Sequence, residues 1–278
     1  MKLDAFPGLE LPARVREVDQ DQIGFLWHCW FAFVTLRPAL SSSVQRGVLT
    51  LLCAPGGVPR SRAAASRIAG GATLVVLADA VAARQLMRAG ACDFVVTSLD
   101  EALRILKNEV RRAAPVSVCL VADAPAVLTE CVERGLQPDR MDCEELVLEE
   151  RGARHIVWEQ NLADAMLPCS LVQTHGAPAV MRQAISRLAS SFPPTDPRVA
   201  WLLQGPPVLG RNFQHVWACP ATLDEAMVWQ RALQTGLADE TGGMDSARRT
   251  RTGGWITSDA GLALYMGGEL IWANTPIA

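Results

Sequence analysis

Gly56-Gly57, Asp79 and His215 are the residues whose types and spacing bear most directly on chemistry. The glycine pair follows an apolar run from Val48 to Cys53 and precedes a helix-forming stretch, and Asp79 closes a second apolar run, Thr73 to Leu77. In a strand–turn–helix–strand unit such glycines let the backbone approach a pyrophosphate at a helix N-terminus. An acid about 20 residues later then accepts ribose hydroxyls. The pattern predicts a dinucleotide-type cofactor site on Gly56, Gly57 and Asp79. Pro55 and Pro59 bracket the glycines, and each removes an N–H that a phosphate cradle uses. Asp79 also suits a helix cap, a role aspartate favours.

His215, beside Gln214, is the catalytic candidate, because an imidazole transfers protons near neutral pH. A single histidine with no spaced partner is more often structural, and His28, His155 and His175 are read as structural or exposed. Arg60 and Arg62 stand beside the turn, where they either bind an anion or are solvated surface charges. The eight cysteines, at 29, 53, 92, 119, 131, 143, 169 and 219, form no C-x-x-C pair. Clustered metal-ligand spacing is absent, so no metal site is expected and the thiols read as free, with Cys53 and Cys119 as small hydrophobes inside strands.

Composition narrows the classes. Half of the 278 residues are apolar and 20% are charged, a globular balance with a substantial core. A net charge of −3 argues against nucleic acid as a partner. The apolar runs fall short of the roughly 20 residues that span a bilayer, and the first ten residues, with Lys2, Asp4 and Glu10, lack a secretion-signal pattern. A cytoplasmic protein without membrane or nucleic-acid partners is expected.

Strand and helix patterns alternate through the first half. Strands are predicted at Val48–Cys53, Thr73–Leu77, Asp93–Val96 and Val116–Ala122, and helices at 81–89, 99–112 and 124–134. Gly90 and Gly135 suit helix C-caps, and Ser98 to Glu101 has capping-box form. The alternation predicts an α/β domain over residues 45–142, a Rossmann-like parallel sheet with helices on both faces. Residues 1–44 form a flanking segment whose aromatic stretch, Gly24 to Leu36, packs as a helix or strand. Residues 143–278 form a reduced second domain. There, Ser190–Pro197 reads as an internal boundary, Val199–Leu203 as a strand, Leu223–Gln234 as a helix, 239–254 as a loop and 255–275 as a hairpin about Gly267-Gly268.

Several runs together carry a family resemblance: Gly47-Val48-Leu49-Thr50 with Gly56-Gly57, Ala69-Gly70-Gly71, Leu99 to Leu103, Ala124 to Leu128, and Val132 to Asp139. In order and spacing they resemble the NAD-binding domain of urocanase, which hydrates urocanate in histidine breakdown. Gly210 to His215 and Thr222 to Ala226 are similar to a glycine-rich Gln-His stretch and the helix after it. The resemblance implies NAD as an electrophile that polarises the substrate ring, with Gly56, Gly57, Asp79, Asp123 and Ala124 at the cofactor and His215 as a proton carrier. It also exposes departures. The family's loop is richer in glycine, its glutamate at the second strand aligns with Leu77, its Asn-Ala becomes Asp123-Ala124, and its Gln-Thr-Ser-Ala-His segment corresponds to Glu144–Leu148. Its Arg-Asp-His-Leu-Asp stretch has no counterpart. The expected function is a degenerate, non-catalytic family relative. The alternatives are an NAD-dependent urocanate hydratase, or a different enzyme reusing the cleft with Asp79, Asp123 and His215. A shortened architecture would leave apolar surface, making a homo-oligomer a further expectation.

Overall fold

The computed structural model describes residues 20–36, 47–53, 60–158, 169–174, 182, 185–186, 188–210, 216–220, 260–266 and 269–273. The chain divides into two compact units, one of residues 28–160 with 207–212, the other of residues 1–27, 161–206 and 213–278. The proline-rich Ser190–Pro197 connection lies inside the second unit. Helix α1, Gln20–Leu36, straddles the two.

The first unit carries β1 (Leu49–Leu52), α2 (Arg60–Ile68), β2 (Ala72–Leu77), α3 (Ala80–Arg88), β3 (Phe94–Val96), α4 (Leu99–Arg112), β4 (Val116–Val121), α5 (Ala124–Glu133), β5 (Arg140–Met141), α6 (Leu146–Glu150) and β6 (Arg154–His155). Its six strands form one parallel sheet in the order β3-β4-β2-β1-β5-β6. The predicted strands and helices of residues 45–142 are all present, each within a residue or so of the expected bounds. All six residues of β2 are buried, as a strand covered on both faces requires.

Alternation along the strands sorts the two faces. Leu51, Leu74, Val118 and Met141 join Leu99, Ala102 and Leu106 of α4, Val127 and Cys131 of α5 and Leu148 of α6 in one core. The opposite face receives α2, where Ser66 Oγ and Thr73 Oγ1 lie 2.6 Å apart. Right-handed crossovers explain this segregation, because the chain builds outward through β2 to β3 and then reverses direction through β4 to β5. The reversal makes a topological switch point between β1 and β5.

Caps and staples fix the connections. Asp79 Oδ1 accepts the Val81 N–H at 2.7 Å and Asp123 Oδ2 accepts the Ala126 N–H at 3.4 Å, so both acids cap helices. Ser98 stands at the N-cap of α4, yet its hydroxyl makes no capping bond, which corrects the capping-box expectation; Asp100 and Glu101 in the first turn supply favourable charge instead. Gly90 takes φ 73°, and a Cβ there would meet the Leu209 carbonyl oxygen at 2.9 Å, so glycine is required twice over. Arg67 pairs with Asp93 at 2.5 Å and donates to the carbonyls of Gly90 and Val208 at 2.8 Å each, satisfying otherwise unpaired backbone acceptors. The Arg140 guanidinium donates to the Leu36 carbonyl and ties the end of α1 to β5.

In the second unit β7 (Cys169–Thr174), β8 (Val216–Pro220), β9 (Ala260–Met266) and β10 (Glu269–Ala273) form an antiparallel sheet in the order β10-β9-β7-β8. The pairing of Met266 with Glu269 is the expected hairpin. The strand expected at Val199–Leu203 is instead part of helix α7, Pro197–Leu209. Asp196 caps it by accepting the Arg198 N–H at 2.8 Å, and Pro197 enters with φ already suited to a helix. Burial decides the outcome over the β-branched start of the run: Trp201 is fully buried, donates its Nε1–H to the Ala218 carbonyl of β8 at 2.6 Å, and packs in a tilted pair with Trp217, ring centroids 4.8 Å apart. The predicted helix at Leu223–Gln234 and loop at 239–254 lie outside the described residues.

Two outcomes follow from this packing. Leu74→Ala at the centre of the sheet should lower unfolding free energy by about 3 kcal/mol in urea titrations followed by circular dichroism. The buried thiols add a pH dependence. Burial pushes Cys92 up to about 11, with Asp93 adding to it; burial and then Cys92 push Cys119 to about 12; burial and then Glu130 push Cys131 to about 11. Unfolded thiols lose their protons from about pH 8.5. Above that pH the unfolded chain holds fewer protons than the folded one, so stability falls as pH rises toward the folded values. Urea midpoints should therefore drop steadily above about pH 8.5, and Cys119→Ala should flatten the drop.

Candidate functional site at the sheet switch point

A cleft of about 860 Å³ opens at the C-terminal edge of the parallel sheet, where α/β folds place their ligands. Its floor follows from strand register. Leu51 of β1 pairs with Met141 of β5, so two residues further on Cys53 stands beside Cys143. Their sulfurs are 2.7 Å apart, with the Cys53 thiol donating. Between them in sequence, the buried Asp142 accepts the Cys53 N–H on Oδ1 at 2.7 Å and gives its own N–H to the Leu51 carbonyl at 3.2 Å. The carboxylate thereby continues the β1–β5 ladder past the end of the strand.

Arg62, in the first turn of α2, faces the other carboxylate oxygen at 3.8 Å. Its guanidinium lies over the Trp158 ring, 4.7 Å from the centroid, a cation–π contact that holds the group in place. Burial lowers the Arg62 pKa and the Asp142 charge pushes it back up. The Cys53 thiol is pushed far upward, first by its hydrogen bond to Cys143 and then by burial, so it stays protonated at neutral pH. The indole Nε1–H of Trp158 is buried with no hydrogen-bond acceptor among the described residues. Arg62 and Trp158 give one wall of the cleft cationic and donor character, while Asp123, Asp142 and Glu144 supply acids.

The sequence-predicted residues are distributed unevenly. Asp123 and Ala124 line the cleft at the start of α5. Asp79 is spent on its helix cap and is not among the lining residues, whereas Leu77 and Ala78 are. Gly56, Gly57 and His215 lie outside the described residues, as do Pro55, Pro59 and His175. His28 and His155 are exposed, and His155 also borders the cleft. Sequence reasoning missed Asp142, Cys143 and Trp158, and treated Arg62 as an isolated charge beside the turn. Cys53 and Cys143 are free thiols, as expected, and the fold brings them into contact. Cys53, Asp142 and Cys143 bring three possible metal-ligand atoms within 4.8 Å of one another, a grouping that spacing rules cannot detect across 90 residues. A two-residue strand followed by Asp142-Cys143 was the local signal, and it is too short for periodicity to register.

Among known families, the model Urocanase, described as the urocanase Rossmann-like domain, matches residues 32–143. The matched span takes in the end of α1 and runs through every strand from β1 to β5, closing on Cys143. No helix of the described residues is long and apolar enough to cross a membrane.

The Asp142 geometry sets a testable ordering. Asp142→Leu leaves the buried Cys53 N–H without its acceptor and should cost about 1–3 kcal/mol in urea unfolding. Asp142→Asn keeps an oxygen at Oδ1 and should cost less than the leucine variant. Equal losses would show that charge opposite Arg62, and not the backbone bond, is what the carboxylate contributes.

Proposed function

We propose that this chain, whose residues 32–143 are a urocanase Rossmann-like domain, keeps the family's scaffold and ligand cleft but does not hydrate urocanate with NAD. The end of β2 carries this reading. The family resemblance puts a ribose-binding glutamate at Leu77, a hydrocarbon side chain lining the cleft. The nearby acid, Asp79, has Oδ1 committed to the Val81 N–H of α3. The position that the resemblance assigns to a ribose-binding acid thus carries no carboxylate of its own. At the α5 N-terminus, which could hold a phosphate, Asp123 already accepts the Ala126 N–H and brings its own negative charge. These replacements support the reading that NAD binds weakly or not at all.

The cleft itself is retained at the position where open α/β sheets bind ligands. Arg62 and the Trp158 N–H favour a small molecule bearing an acceptor or anionic group, held beside the aromatic ring. Function lives in that site and not in the fold shared with the hydratase.

Calorimetric titration at low salt should give no NAD binding tighter than about millimolar, a level of roughly −4 kcal/mol. Urocanate absorbs in the ultraviolet through its conjugated side chain, and its absorbance should stay constant with protein and NAD supplied together. Submicromolar NAD binding would overturn the reading. So would a protein-dependent fall in urocanate absorbance; loss of that fall in His215→Ala would then assign the proton transfer to His215.

A further inference from the structure

We propose that Cys53 and Cys143 form a redox-active dithiol in the floor of the cleft, converted to a disulfide by exchange with low-molecular-weight disulfides. Three observations bring the pair together. The first is register: β1 and β5 are parallel neighbours with Leu51 opposite Met141, so the two cysteines emerge side by side from adjacent strands. Adjacent strands lie about 4.8 Å apart, within the Cα separation that a disulfide spans. The second is contact: the sulfurs are 2.7 Å apart, closer than two unbonded sulfurs normally approach. The third is access. Both residues line the cleft, so a small reagent reaches them although each is almost wholly buried.

The surroundings favour the disulfide over the other use of such a cluster. A bound divalent cation would require both sulfurs to move apart, since two thiolates on one zinc at about 2.3 Å each sit well over 3 Å from one another. It would also stand near the Arg62 guanidinium, which already faces Asp142. A disulfide needs only a small closure and carries no charge. It leaves both the Asp142–Cys53 backbone bond and the Asp142–Arg62 pair intact.

The chemistry balances through two exchanges. One protein thiol, after losing its proton, attacks a sulfur of the disulfide RSSR; an S–S bond forms to the protein and one RS⁻ leaves, taking up a proton. The neighbouring protein thiol, deprotonated in turn, attacks the protein sulfur of that mixed disulfide and expels the second RS⁻, which is also protonated. The protein loses two protons and two electrons, and RSSR, gaining both, becomes two RSH. Because thiolate is the nucleophile and the hydrogen bond to Cys143, followed by burial, keeps Cys53 protonated, the exchange accelerates with rising pH. The product joins β1 to β5 across a long chain segment, and closing such a loop restricts the unfolded chain.

The full chain, incubated with oxidised glutathione, acid-quenched, alkylated under denaturing conditions and digested without reduction, tests this directly. The expected product is a Cys53–Cys143 linked peptide two hydrogens lighter than the separate thiol peptides, with the linked form melting at higher temperature than the reduced protein. Cys53→Ser should trap glutathione on Cys143, and Cys143→Ser should trap it on Cys53, because neither variant has a resolving thiol. Recovery of Cys53 and Cys143 fully alkylated from the wild-type chain would overturn the proposal. Zinc held stoichiometrically by the purified chain and lost in Cys143→Ser would also overturn it, assigning the cluster to a metal. The wild-type peptide map needs no variant to fold, and none of these readouts depends on NAD or urocanate.

Discussion

The register of one short strand pair, Leu51 opposite Met141, governs the cleft. β5 is only two residues long, so little backbone pairing holds it beside β1. Side chains extend the ladder at both ends: Asp139 Oδ2 accepts the Leu49 N–H at 2.7 Å, and Asp142 Oδ1 accepts the Cys53 N–H at the same distance. The two carboxylates bracket the pair and oppose a slip of one residue, which would turn every side chain of β5 to the wrong face. Met141 would leave the core, and Cys143 would leave Cys53.

From that register the rest of the site follows. Placing β5 against β1 while β2 lies on the other side makes the crossover direction reverse there, so neighbouring loops diverge and leave a crevice. The reversal also sends α2 to one face and α4 and α5 to the other, which is why Arg62 approaches Asp142 from the face opposite the cysteines. One residue step along the strand separates an ionic contact from a thiol pair.

The scaffold and the side chains at its strand tips rest on different physical requirements. Parallel pairing, buried strands and helix caps are intact, and they depend on apolar pattern and local hydrogen bonds. Cofactor recognition depends on a few side chains at strand tips, which the fold tolerates in many identities. Leu77 packs as well as an acid would and better in terms of desolvation; Asp79 and Asp123 stabilise helices whether or not a ligand is bound. Folding alone is enough to preserve these features, whatever the cleft binds.

Local signals were enough for the α/β alternation, because β2 and β4 are continuous apolar runs and Gly90, Gly135, Asp79 and Asp123 mark helix ends through short-range backbone chemistry. The family resemblance was legible for the same reason, being carried by runs within single elements. Tertiary structure decided whatever needed distant residues to meet. Val199 to Leu203 became helical because Trp201 could bury itself against Trp217, a contact that apolar patterning over five residues does not encode. The contact between the free thiols Cys53 and Cys143 was not legible, because spacing rules see neighbours along the chain, whereas a parallel sheet brings together residues separated by whole strand–helix units. The amino-acid sequence by itself determined the elements and their order. Only the register between β1 and β5 determined that an acid, an arginine, an indole and two thiols share one cleft.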